Sequence, residues 1–158
     1  MTGGLVLSGL RVAAGDRVLV DAVSLHLRRG RVLGLVGRSG SGKSLTTLAL
    51  LDLLPPGVTR LAGEVALDGA MLDRAGQAGL RRRTLGYVQQ APRAGFNPLV
   101  SIGRQFEETL ALAGLRGTAA RERMRDLLRE LGFDTTDRIP GLYPGQLSGG
   151  MLQRAMIA

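Results

Sequence analysis

Cysteine and tryptophan are missing from this 158-residue chain, aromatics make up 3% of it, and His26 is its one histidine. Without cysteine there is no disulfide, no thiolate chemistry and no cysteine-ligated metal. A single histidine removes every multi-histidine metal site. The shortage of aromatics removes a stacking platform for single-stranded nucleic acid. Long apolar runs are missing too. The longest, LTTLALLDLLPP, is broken by Asp52 and halts at Pro55, well short of the roughly 20 residues that cross a bilayer. Residues Met1 to Leu10 lack the basic start of a secretory signal. These features together place the chain in the cytosol or peripherally on a membrane.

What is present is a chain that is 44% hydrophobic, enough for one modest domain with a core. Its net charge is +8, which raises the question of nucleic acid. Twenty of the 21 basic residues are arginine, scattered from Arg11 to Arg154 with one short run at Arg81 to Arg83. That dispersal argues for a surface tolerant of phosphate or anionic lipid nearby, and against nucleic-acid binding.

Patterning gives a coarse map. In AVSLHLR, residues 22–28, Val23, Leu25 and Leu27 alternate with Ser24, His26 and Arg28, which predicts a half-buried strand with His26 on its solvent face. RVLGLVG, residues 31–37, is a short continuous apolar run and predicts a strand buried on both faces. KSLTTLALLDLL predicts a buried helix ended by Pro55 and Pro56. GEVALDG, residues 63–69, predicts a strand closing in an Asp-Gly turn, and TLGYVQQ, residues 84–90, a further strand before the APRAGFNP loop. Beyond Leu99 helices take over. Ser101 is placed to cap one carrying Ile102, Phe106, Leu110 and Ala113, stopped by Gly114. Ala120, Met124, Leu127, Leu128 and Leu131 mark a second, stopped by Gly132. The alternating charges of that second helix, from Arg121 to Glu130, read as a solvated face. Glu107 and Glu108 fall on different sides of their helix and make no acid/base pair.

Two glycine-rich stretches carry chemistry. GRSGSGKS, Gly37 to Ser44, fits G-x-x-x-x-G-K-[ST] between a predicted strand and a helix. Gly40 and Gly42 permit the backbone geometry that turns successive N–H groups inward around anionic oxygens, and the helix start adds its positive dipole end. Lys43, the only lysine, brings a full charge to the β- and γ-phosphates, and the Ser44 hydroxyl is a ligand for Mg²⁺. The whole segment Gly37, Arg38, Ser39, Gly40, Ser41, Gly42, Lys43 and Ser44 is thus a candidate nucleotide site. LSGG, Leu147 to Gly150, repeats the idea in shorter form: Ser148 sits at a helix N-cap, and Gly149 and Gly150 let backbone approach a ligand closely.

With these motifs the sequence resembles the ATP-binding subunits of ABC transporters, from about Leu5 to Ala158. The resemblance rests on the phosphate loop GRSGSGKS, the glutamine loop YVQQAPRAGFNP and the signature LSGGMLQR. FNPL, LYP and SGGMLQRAMIA look most like the dipeptide, oligopeptide and nickel importer subgroup, and within it the nickel-import subunits. The resemblance implies an α/β P-loop NTPase fold of ABC ATPase type. Such a fold has a mixed sheet core, an antiparallel β edge and an inserted helical subdomain, here truncated after the signature. It implies residues 1–98 as the nucleotide-binding core and 99–158 as the helical subdomain that docks on transmembrane permease subunits at the cytoplasmic side of the inner membrane.

It further implies a head-to-tail pair with a second ATP-binding subunit, identical or not. ATP on one phosphate loop would be capped by Ser148, Gly149 and Gly150 of the other. By the Gln-x-Pro spacing Gln90 is assigned to Mg²⁺ and the attacking water, with Gln89 the second choice. Three departures stand out. Ala13 and Ala14 occupy the place of the family's adenine-stacking aromatic, which implies loose base selectivity. Met151 replaces the commoner glutamine of the signature. The 158 residues stop before the family's apolar strand ending in Asp-Glu, so they are expected to bind ATP without hydrolysing it efficiently, as a gene fragment or a partial sequence. The competing readings are a soluble ABC-type ATPase of DNA repair or translation, and a non-catalytic nucleotide-binding remnant.

Overall fold

The computed structural model describes residues 3–134 and 136–158, the side chains of Arg82 and Arg83 excepted. The chain divides into two compact units, Met1–Leu85 and Gly86–Ala158.

The first unit is a four-stranded antiparallel sheet in the order β2-β1-β3-β4 with two helices. Strand β1 (Gly4–Ala14) pairs with β2 (Arg17–Arg28) and with β3 (Val58–Leu67), which pairs with β4 (Ala70–Leu72). Along β2, Val23, Leu25 and Leu27 are half-buried while Ser24, His26 and Arg28 are exposed, so the alternation read from the sequence is realised and His26 faces solvent. The Asp-Gly turn is realised as well: Asp68 and Gly69 lie at φ 51° and 85°, the left-handed geometry that a two-residue hairpin loop requires. Arg29 donates to the Asp68 carboxylate, which holds that group below the usual carboxylate range.

One face of the sheet buries Leu5, Leu7, Leu10, Val12, Val20 and Val65 with Ala49, Leu50, Leu51 and Leu80 of the helices. Three strands are irregular at one level. Gly9, Ala22 and Gly63 take φ of 59°, 50° and 113°, and register shifts accompany them between Leu7 and Val12 of β1. At Gly63 the close approach forces the residue choice, since a Cβ would lie 2.7 Å from Leu10 Cα.

Helix α1 (Lys43–Leu50) is shorter than expected. It ends before the prolines because Asp52 turns left-handed at φ 53°, and the N–H groups of Asp52 and Leu53 then bond back to Ala49 O and Leu48 O at 3.1 and 2.8 Å. This is the double bond of a Schellman stop. Helix α2 (Arg74–Arg83) was not foreseen; Asp73 caps it by accepting from Gly76 N at 2.7 Å. Its fully buried Gln77 donates to Leu50 O at 2.9 Å, and Arg81 donates to Leu51 O. The C-terminal carbonyls that α1 leaves unpaired are therefore met by α2.

Two sequence expectations are corrected. Residues 31–37 and 84–90 are not strands. A strand exists through its ladder, and among the described residues nothing pairs with either segment. Val32 and Val36 are 100% and 94% exposed, the reverse of the burial that their apolar pattern predicts.

The second unit is helical: a single turn at Pro92–Gly95, α3 (Ile102–Leu112), α4 (Gly117–Glu130), turns at Ile139–Gly141 and Pro144–Gln146, and α5 (Gly149–Ile157). Its core joins Ile102, Phe106, Met124, Leu128, Phe133, Ile139, Leu147, Leu152 and Ala155. Helices α3 and α4 stop at Gly114 and Gly132, as expected, with φ of 83° and 74°. The following N–H groups of Leu115 and Phe133 return to Leu110 O and Leu128 O at 3.0 and 3.1 Å. The charged side of α4 is exposed from Arg121 to Glu130, and Glu107 and Glu108 part to different arginines, Arg121 and Arg104. Among the described residues no helix is long and apolar enough to cross a membrane.

Candidate nucleotide-binding site

The Gly37–Ser44 loop delivers the chain into α1. Gly40 and Gly42 both sit in the left-handed region, at φ 80° and 86°, where a side chain costs about 1–2 kcal/mol. Gly42 is constrained twice, because a Cβ there would lie 2.8 Å from Val20 Cγ2 and 3.2 Å from Leu19 O. Strand β2 thus presses the loop at its last turn and fixes where the helix starts. The first-turn N–H groups of α1 have no acceptor within the helix and open toward the loop.

Lys43 folds back over this loop. Its Nζ donates to the carbonyls of Gly37 and Arg38 at 2.7 Å each and lies 3.4 Å from Ser41 Oγ. The ammonium thereby sits over the concavity that the glycines shape, where three donor hydrogens serve carbonyls or phosphate oxygens alike. Ser44 is exposed at the start of α1, so its hydroxyl is free to ligate a cation. Thr46 and Thr47 spend their hydroxyls on Gly42 O and Lys43 O at 3.0 and 3.2 Å. A glycine-shaped cradle, one ammonium and one open hydroxyl fit a polyphosphate with Mg²⁺.

In the second unit Ser148 caps α5 with its Oγ accepting from Met151 N at 3.2 Å. The hydroxyl hydrogen remains available for donation, and Gly149 and Gly150 are exposed with open space where a Cβ would stand. The arrangement presents one O–H and two first-turn N–H groups outward. The Met151 side chain packs on the core of its own unit, which explains why an apolar residue serves at that position.

Gln90 is exposed, whereas the backbone N–H of Gln89 donates to the Met156 thioether at 3.3 Å. Downstream, Gln105 grips the end of the loop through Asn97 N, Asn97 O and Val100 O at 2.9, 3.1 and 2.8 Å. Behind the signature, Arg154 donates to Leu131 O and Gly132 O at 3.1 and 2.8 Å and stands 4.6 Å from the Phe133 ring centroid. Met156, Gln105 and Arg154 received no role from the sequence, since what marks them is contact across distant segments. The loop Gly37–Ser44 lies in one unit, and Gln90, Ser148, Gly149 and Gly150 lie in the other.

The family model described as ABC transporter matches residues 20–158. The chain belongs to the ABC transporter family. It is 47% identical over 154 residues to the nickel import ATP-binding protein NikD of Pseudomonas putida and 43% identical over 158 residues to that of Rhodospirillum rubrum. In each case it covers 98% of this chain and 59% of the relative, so the chain spans about three-fifths of the curated relatives' length. Among solved structures, cbiO1 from Clostridium perfringens, part of the ABC transporter complex cbiONQ, matches with a TM-score of 0.76 at 21% identity, over 99% of this chain and 60% of that one. An ATP-binding subunit of an ABC transporter matches with a TM-score of 0.76 at 24% identity, over 98% and 60%. These two likenesses establish the ABC ATPase fold.

Proposed function

We propose that this chain is the ATP-binding part of an ABC importer subunit that couples ATP binding and hydrolysis to uptake of nickel or peptides. The observation that carries the reading is the Gly37–Ser44 cradle with Lys43 Nζ over it, in a chain 43–47% identical to nickel import ATP-binding proteins. ATP binds with its phosphates on Gly37, Arg38, Ser39, Gly40, Ser41, Gly42 and Lys43, and the Ser44 hydroxyl ligates Mg²⁺; Gln90 carries the role that the family resemblance assigns to it, toward Mg²⁺ and the attacking water. Ser148, Gly149 and Gly150 close on the nucleotide of a second subunit, identical or different, in a head-to-tail pair. Residues 1–98 form the nucleotide-binding core, and 99–158 dock on permease subunits at the cytoplasmic face of the inner membrane.

The test is titration with a fluorescent ATP analogue. Lys43→Ala removes the one ammonium of the cradle and is expected to abolish binding; unchanged affinity would remove the assignment. The 158 residues by themselves are expected to bind ATP and turn it over slowly, since they contain no Asp-Glu pair of the kind that the resemblance calls for. Steady-state phosphate release well above background, lost in Lys43→Ala, would contradict this second expectation and leave the first standing.

A further inference from the structure

Met156 stands near the far end of α5, the helix whose first residues are the signature Ser148, Gly149 and Gly150. Its thioether accepts the backbone N–H of Gln89 at 3.3 Å, so this one side chain touches the residue next to Gln90. The approach is tight on the other side as well. A Cβ on Gly95 would collide with Met156 Cε and lie 3.9 Å from Gln89 Nε2. The single turn Pro92–Gly95 packs on α5, and its lack of a side chain at Gly95 is what admits the methionine. A long unbranched thioether is suited to such a gap, being flexible, polarizable and a weak acceptor.

We propose that Met156 is a positioning residue for Gln90: from the far end of the signature helix it sets the backbone at Gln89 and, through it, the reach of Gln90. This rests on the reading of Gln90 as a Mg²⁺ ligand. The helix is short and anchored in the middle by Arg154 on the carbonyls of Leu131 and Gly132.

The test compares the affinity of the 158-residue chain for a fluorescent ATP analogue with and without Mg²⁺. Met156→Leu keeps the bulk and deletes the acceptor. Met156→Gln keeps the length and supplies a carbonyl acceptor. Positioning predicts that Met156→Leu loses about two- to fourfold of the Mg²⁺-dependent gain in affinity, the scale of one weak hydrogen bond, and that Met156→Gln retains it. Gly95→Ala displaces the flexible thioether and should lose the gain as Met156→Leu does. A purely packing role predicts the opposite order, with leucine tolerated and glutamine damaging, and that result overturns the proposal.

Gln90→Ala separates the two readings. If it erases the Mg²⁺ gain while Met156→Leu behaves as wild type, the role of Met156 falls and that of Gln90 stands. If Gln90→Ala changes nothing, the Gln90 reading falls, and amide hydrogen exchange decides the contact itself. Faster exchange at Gln89 in Met156→Leu, restored in Met156→Gln, upholds the grip of Met156 on the Gln89 backbone; equal exchange in all three overturns it.

Discussion

Gly42 is the residue on which the phosphate loop turns. Its φ of 86° and the 2.8 Å approach to Val20 that a Cβ would make are independent reasons against any side chain. Gly42→Ala should therefore cost about 2 kcal/mol or more of stability, and weaken ATP binding, because the misplaced N-cap carries Lys43 with it. Urea unfolding beside nucleotide titration checks both effects; a variant with wild-type midpoint and affinity would refute the argument. The requirement at Gly42 was visible in the sequence because the loop motif is local: glycine, lysine and hydroxyl follow one another within eight residues, Gly37 to Ser44. Gln105, Arg154 and Met156 were not visible, because their partners lie 5 to 67 positions away and no spacing rule connects them.

At the scale of elements, both units solve the problem of helix ends in one way. The carbonyls closing α1 are met by Gln77 and Arg81 of α2, and those closing α4 by Arg154 of α5. Gln77→Leu keeps the volume but leaves Leu50 O buried without a donor and deprives Arg60 of its 3.2 Å acceptor. The expected loss is about 1–3 kcal/mol, read as a lower urea midpoint with an unchanged m-value. No loss would mean that water reaches Leu50 O. Helix α2 escaped the sequence reading because Gly76 and Gly79 lower its propensity and three successive arginines leave it little apolar periodicity, while its support is tertiary. The apolar run at 31–37 failed for the complementary reason. Composition marks a segment that suits a buried strand, but pairing is non-local, and no described residue supplies it. Strand β2, α3 and α4 were legible because their periodicity already names the face that packs.

For the whole molecule the balance of surfaces decides behaviour. Val32, Leu33, Leu35 and Val36 stand exposed in one segment, with Tyr87 and Val88 exposed in another. An exposed apolar run such as residues 32–36 promotes association, which a charge of +8 only slows. The isolated 158 residues should be poorly soluble or depend on a chaperone. A chain that stays monodisperse and monomeric as its concentration is raised, with no chaperone present, would contradict this.

The irregular level through Gly9, Ala22 and Gly63 bears on where such association begins. Strand β2 is an open edge of the sheet, yet Ala22 kinks it and Arg17, Asp21 and Arg28 decorate it. A bent, charged border is a poor template for a neighbouring chain. The sheet is thereby guarded against growing sideways, and stickiness is left to the unladdered segment that feeds the phosphate loop.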